Sequence, residues 1–285
     1  MGNHWDDLSV TADAAVAGRY HAHLSDAWTL AFAAQGGVLT ALGAEAMHAE
    51  LGVADQPLRT QTSVFAAPVL PGAVTIDVTV LRRGRSMSQL RAEVRNADAA
   101  AGVTVVAVFG AERAGPTFID LTPPEVAGPD GLPSFRDPLP DDVPATFRNE
   151  PRPFWAEICE GRPAIGRAPW EPYEEGPSDV VQWFGYEGAP LDADGNLHRA
   201  LPLIACDMMP SSVSQKVGPG DRPWFGPSAD YTVHLFDPAP EGWLLAHLRA
   251  RAGGHGYASV EMALWSEQRT LVAHACQVMF FTYVD

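Results

Sequence analysis

The sequence predicts an α+β fold built twice in tandem, each copy a long buried helix with an antiparallel sheet curled around it. Three observations carry this. The stretch from Trp28 to Met47 is apolar on every side, four runs rich in β-branched residues follow it, and the same order recurs 170 residues later. A chain of 285 residues also suits two domains of about 100–150 residues each.

Leu30, Phe32, Val38, Leu39, Leu42 and Met47 point to nearly all sides of a helical wheel, so the helix must be enclosed by protein. Gln35, Gly36-Gly37 and Glu45 interrupt the stretch too soon for a membrane span. Ser25 or Asp26 can cap its start and Gly52 its end. Strands are expected at residues 59–66, 74–82, 87–94 and 103–109, with turns at Pro71-Gly72, Gly84 and residues 96–102. In the second half, residues 201–209 form another apolar helix with Pro202 in its first turn. Strands follow at residues 230–236, 243–249, 257–265 and 271–281. Placing residues 87–94 on 257–264 also superposes 103–109 on 273–279 and brings Asp207 opposite Gly37. One element order with one offset indicates an internal duplication.

Between the halves, prolines from Pro116 to Pro144 crowd a passage that cannot enter a ladder and reads as a surface linker. The expected division is residues 1–115, a linker at 116–146, and residues 147–285. Residues 161–177 resemble an insertion whose Trp170 and Tyr173 fold down onto the body.

A net charge of −16 repels phosphate backbones and anionic membranes, so neither nucleic acid nor membrane is an expected partner. It leaves room for a small anionic ligand met by local arginines. Cys159, Cys206 and Cys276 form neither a disulfide framework nor a metal pattern and are expected to be buried, reduced thiols. The start at Met1 has no basic, apolar leader, and a cytoplasmic location is expected.

The stretch 24–41, with Trp28 and then Gln35-Gly36-Gly37, resembles the opening helix of the thioesterase-like double-hotdog proteins, which include acyl-CoA thioesterase II and its actinobacterial relatives. Phe65-Ala66-Ala67-Pro68, Pro71-Gly72 and residues 82–88 are similar to that family's first-half sheet. Ser228-Ala229-Asp230-Tyr231-Thr232-Val233-His234, Trp243-Leu244-Leu245, Gly253-Gly254-His255-Gly256 and residues 272–279 continue the likeness. The resemblance implies a double hotdog: two antiparallel sheets, each wrapped around its own long helix, paired as a pseudo-dimer with acyl-CoA at the junction. It also implies an aspartate at the start of a second-half strand, a glutamine on the last strand, and a serine or threonine in the turn between. The first two carry over to Asp230 and Gln277. The third falls on Ala250-Arg251-Ala252, which has no hydroxyl.

A carboxylate beside an amide suits thioester hydrolysis, one accepting water's proton while the other aims the water. Backbone N–H groups at a helix start can serve a developing oxyanion. Alternation sets Gln277 on a face with Ala275 and Met279, where a buried amide needs a partner. Asp230 alternates with Thr232 and His234, away from Tyr231 and Val233. It is either a solvated or capping carboxylate or a strand-end group at a site's mouth. At the 170 offset Gln277 matches Ala107 and Asp230 matches Thr60, leaving one site per chain. Asp207, alone in an apolar helix, either pairs with a site group or makes a buried structural hydrogen bond. Gln35, Gly36 and Gly37 are expected to line the substrate tunnel, with Arg85, Arg251 and His255 as further substrate contacts. Arg82 and Arg83 are other candidates for CoA phosphates. His21-Ala22-His23 lacks a third metal ligand, and Asp192-Ala193-Asp194-Gly195-Asn196 lacks a calcium loop's glycine and final glutamate. No metal site and no cofactor are therefore expected. The favoured function is acyl-CoA thioesterase, with a non-catalytic acyl-CoA or lipid-binding protein as the alternative and a hydratase or dehydratase third. A homodimer or higher homo-oligomer is expected from the edge strands such sheets leave.

Overall fold

The computed structural model describes residues 3–139, 141, 153–168, 171, 175–218 and 224–283. Pro140, Pro144, Trp170 and Tyr173, each given a place by the sequence reading, lie outside the described residues.

Helix α1 spans Gly36–Leu51 and begins later than Ser25 or Asp26 suggests. Asp26–Trp28 forms a separate 3-10 turn, and Ser25 makes no side-chain cap. Thr29–Leu30 then pairs with Ala33–Ala34. The cap is Gln35, whose Oε1 accepts the N–H of Val38 at 2.8 Å. The glycine pair accordingly occupies the first turn, where its conformational cost to a helix is least. The helix ends as expected at Gly52, left-handed at φ +64°, whose N–H bonds to the carbonyl of His48. Leu39, Leu42, Ala46, Met47 and Leu51 are all buried, so protein does enclose α1 on every side.

The strands of the main sheet are β1 (Thr11–Ala12), β2 (Arg19–Leu24), β3 (Leu58–Phe65), β4 (Gly72–Arg82), β5 (Met87–Asn96), β6 (Val103–Gly110), β7 (Glu160–Ile165), β8 (Asp179–Gly185), β9 (Asp230–Leu235), β10 (Leu244–Gly254), β11 (Tyr257–Ser266) and β12 (Leu271–Phe280). They form one continuous sheet of 12 strands rather than two, in the order β1-β2-β4-β5-β6-β3-β9-β12-β11-β10-β8-β7. Continuity arises because β3 and β9, which would otherwise be edges, pair with each other and satisfy their backbone groups. In that pair Thr62 faces Thr232, 170 positions away, with their hydroxyls 3.0 Å apart. The offset holds through the ladder. Thr62 opposite Val106 maps onto Thr232 opposite Cys276, and Ser88 opposite Phe109 onto Ala258 opposite Met279. Even the bulge between Val80 and Arg82 recurs between Ala250 and Ala252.

The second-half helix departs from expectation. It breaks into α2 (Ala200–Cys206) and α3 (Pro210–Val217) instead of running through residue 209. Pro210 has no N–H for the carbonyl four residues back, and its ring would strike that carbonyl, so the helix stops after Cys206. Asp207 leaves the helix at that break. Every residue of α2 is buried, and α2 crosses α1 so closely that a Cβ on Gly37 would lie 2.7 Å from Cα of Ile204.

Residues 111–139 contain no helix or strand but are pinned to the outer face of the second-half sheet. Nε1 of Trp183 donates to the carbonyl of Ala127 at 3.0 Å, and Nη2 of Arg269 to that of Val126 at 3.0 Å. Cys159 and Cys206 are buried as expected, whereas Cys276 is exposed, because it takes the outward parity on β12. Among the described residues no helix is long and apolar enough to cross a membrane.

Candidate active site

The start of α1, the break after α2 and the ends of β9 and β12 converge on one carboxylate. Asp207 is buried and accepts the backbone N–H groups of Gly36 and Gly37. Oγ of Ser228 donates to its Oδ1 at 3.4 Å, and Nε2 of Gln35 to its Oδ2 at 3.4 Å. Burial outweighs these donors and pushes the carboxyl up to about 7. Ser228, just before β9, is fixed by a bridge to Met279 on β12. Gln277 points inward from β12, and its Nε2 donates to Oγ of Ser228 at 3.2 Å. A directed chain thus runs from Gln277 through Ser228 to Asp207. Oε1 of Gln277 is buried without a partner among the described residues.

Gln35, Gly36, Asp207 and Ser228 border a cavity of about 580 Å³ whose other walls include Leu30, Phe32, Phe65, Met208 and Phe225. One polar end on an apolar chamber matches a reacting carbonyl attached to a hydrocarbon chain.

Of the residues singled out from sequence, Gln35 and Gly36 line the cavity, Gly37 donates its N–H to Asp207, and Gln277 reaches it through Ser228. Asp230 does not border the cavity. Its Oδ1 accepts the N–H of Val278 at 2.7 Å, a strand-pinning bond. No hydroxyl occurs at residues 250–252, and the hydroxyl that contacts Asp207 and Gln277 is that of Ser228. Arg85 is exposed in the turn between β4 and β5, and Arg251 pairs with Glu261 on the sheet. His255 sits exposed at φ +56° in the turn joining β10 and β11. None of these three borders the cavity, because the loop and sheet face carrying them point elsewhere. Nη2 of Arg83 donates to the carbonyl of Glu50 at 3.0 Å, capping the end of α1. His21 pairs with Asp13 at 2.7 Å, and no metal-holding cluster occurs among the described residues. Asp192 closes a turn, its Oδ1 accepting the N–H groups of Asp194 and Asn196, each at 2.9 Å.

Sheet, apolar central helix and a polar site at that helix's N-terminal end define a protein of the hotdog class. The fold is similar to that of a hotdog protein of unknown function from Alicyclobacillus acidocaldarius, with TM-score 0.76, 20% identity and 100% of both chains covered. It is also similar to an acyl-CoA thioesterase II from Mycobacterium marinum (TM-score 0.74, 16% identity, 99% of both chains). A tesB protein of Mycobacterium avium subspecies paratuberculosis gives TM-score 0.70 at 17% identity over 97% of both chains. At such identities the likeness is one of fold. No curated protein matches the sequence. Residues 24–110 match the model of the acyl-CoA thioesterase N-terminal domain and residues 129–281 that of the acyl-CoA thioesterase C-terminal domain. The chain belongs to the acyl-CoA thioesterase family.

Proposed function

We propose that the protein hydrolyses an acyl-CoA thioester by direct attack of water, with Asp207 as general base. The observation that carries this is the hydrogen-bonded chain Gln277–Ser228–Asp207 at the polar end of an apolar cavity. Asp207 takes a proton from water as the hydroxide adds to the thioester carbonyl. The resulting oxyanion collapses, the C–S bond breaks, and the proton passes to the departing CoA thiolate. Ser228 holds the carboxylate in register and presents its oxygen to the attacking water, and Gln277, donating Nε2 to Oγ of Ser228, fixes the direction of that hydroxyl. The positive end of α1 favours the charge that develops. A base titrating near 7 is matched to work at neutral pH.

The halves are read as a pseudo-dimer, each half of the continuous sheet serving its own helical segment, with residues 1–115 and 147–285 as the units and 116–146 as the linker. At the 170 offset the first half has Gly37 for Asp207 and Ala107 for Gln277, which supports a single site per chain. Ser228 removes the motive for a non-catalytic binding protein. A hydratase is disfavoured because no histidine borders the cavity among the described residues.

A thiol-release assay across acyl-CoA chain lengths tests the assignment. Asp207→Asn is expected to lower kcat/KM by about 10²–10⁴, Ser228→Ala and Gln277→Ala by at least about tenfold, and Asp230→Asn by less than about threefold. Parent-like turnover by Asp207→Asn would overturn the mechanism.

A further inference from the structure

The cavity holds a second polar feature that the water-activating chain does not use. Gln182 on β8 is 3% exposed and borders the same cavity as Asp207. Alternation along β8 fixes its direction. Val181 and Trp183 face the cluster beneath the linker, while Val180, Gln182 and Phe184 face the main core. A bulge adjoins it, since Val181 pairs with Ile165 but Gln182 with Pro163. Bulges re-aim side chains and recur beside active sites. The carboxamide makes no hydrogen bond among the described residues, and its atoms are not sealed within protein. It therefore opens onto the cavity, which Phe135 and Trp155 also line.

An amide facing a plain hydrocarbon chain would lose its hydration and gain nothing in return. Resting on the thioesterase reading above, we infer that Gln182 is a specificity residue recognising a neutral oxygen on the acyl group. The substrate class is thus an acyl-CoA with a hydroxyl or oxo substituent, not an unsubstituted fatty acyl-CoA. A hydroxyl can donate to Oε1 and accept from Nε2, and an oxo group can accept from Nε2. A carboxylate is disfavoured, because no lysine or arginine borders the cavity among the described residues.

The test compares one medium-chain acyl-CoA with its monohydroxylated and mono-oxo derivatives, substituted at successive carbons, for the parent protein, Gln182→Met and Gln182→Leu. Turnover is read by thiol release, and binding by calorimetry with non-hydrolysable thioether analogues. At least one oxygenated ester is expected to exceed the plain one about tenfold in kcat/KM. Both variants, of similar volume, should abolish that preference by gaining on the plain ester. Tighter binding of an oxygenated thioether without turnover of any ester sinks the hydrolytic reading and leaves Gln182's role standing. Parent protein that neither turns over nor binds oxygenated compounds better at any position overturns the inference on Gln182, however the variants fold.

Discussion

A carboxyl group held near pH 7 by burial ties the stability of this protein to its chemistry at Asp207. The group's folded value, about 7, lies above its ordinary 3.8, so the folded state binds this proton more tightly than the unfolded chain. The stabilisation is complete below about 3.8 and is lost as pH rises through about 7. Above that range the fold carries a buried charge that costs on the order of a few kcal/mol. Asp207→Asn should therefore raise Tm relative to the parent at pH 8–9, by several degrees, with a much smaller difference near pH 4. The parent's kcat/KM should climb through about pH 7 to a plateau. An equal Tm difference at both pH values would show that Asp207 does not titrate as a buried group. The sequence exposed only part of this site. Gln277 was legible because strand alternation forces it inward, but Asp207 showed only as an anomaly at the end of an apolar helix. Ser228 gave no periodic signal, since its role depends on a contact 21 positions back along the chain. Asp230 is placed otherwise than expected, outside the cavity lining, and a strand-start aspartate that pins a neighbouring N–H looks the same in sequence as one that faces a cavity.

At the scale of elements, the polar end of the site exists because two helices meet without side chains between them. A Cβ on Gly37 would approach the carbonyl of Leu203 to 2.7 Å and Cα of Ile204 to 2.7 Å. Both contacts are with backbone, which cannot swing aside as a side-chain tip can. Gly37→Ala should thus push α1 from α2 and cost about 1–3 kcal/mol, measured by urea denaturation. Because the Gly36 and Gly37 N–H groups hold Asp207, the same variant should lose turnover while still folded. A fully active, destabilised Gly37→Ala protein would separate helix packing from catalysis. The eight expected strands lie close to their observed limits, except that β10 runs on to Gly254, since β-branched runs and turn residues act locally. β7 and β8 were not read, and Glu160–Ile165 falls where an irregular insertion was expected. Helix limits were not readable in this way. The start of α1 depends on Gln35 reaching Val38, and the end of α2 on a proline four residues downstream of Cys206.

The whole molecule binds its repeats more closely than two domains on a linker would. The pairing of β3 with β9 runs the sheet through both halves, and one apolar cluster includes Leu42 and Val105 of the first half with Leu203 and Val260 of the second. Nε2 of Gln35 donates to the carbonyl of Ile204 at 3.0 Å, and Nε of Arg199 to Oε1 of Glu45 at 2.8 Å. Separating the halves would strip α2 from α1 and leave the edges of β3 and β9 bare. The cost is large compared with the roughly 5–15 kcal/mol that stabilises a typical domain, so neither half should remain folded when the other opens. Scanning calorimetry should accordingly show one transition with calorimetric and van't Hoff enthalpies in agreement. Gly37→Ala, on the first half's helix, should move that whole transition downward rather than split off a part of it. Two resolved transitions, one of them insensitive to Gly37→Ala, would mean that the halves fold apart and that the site is assembled only by their docking.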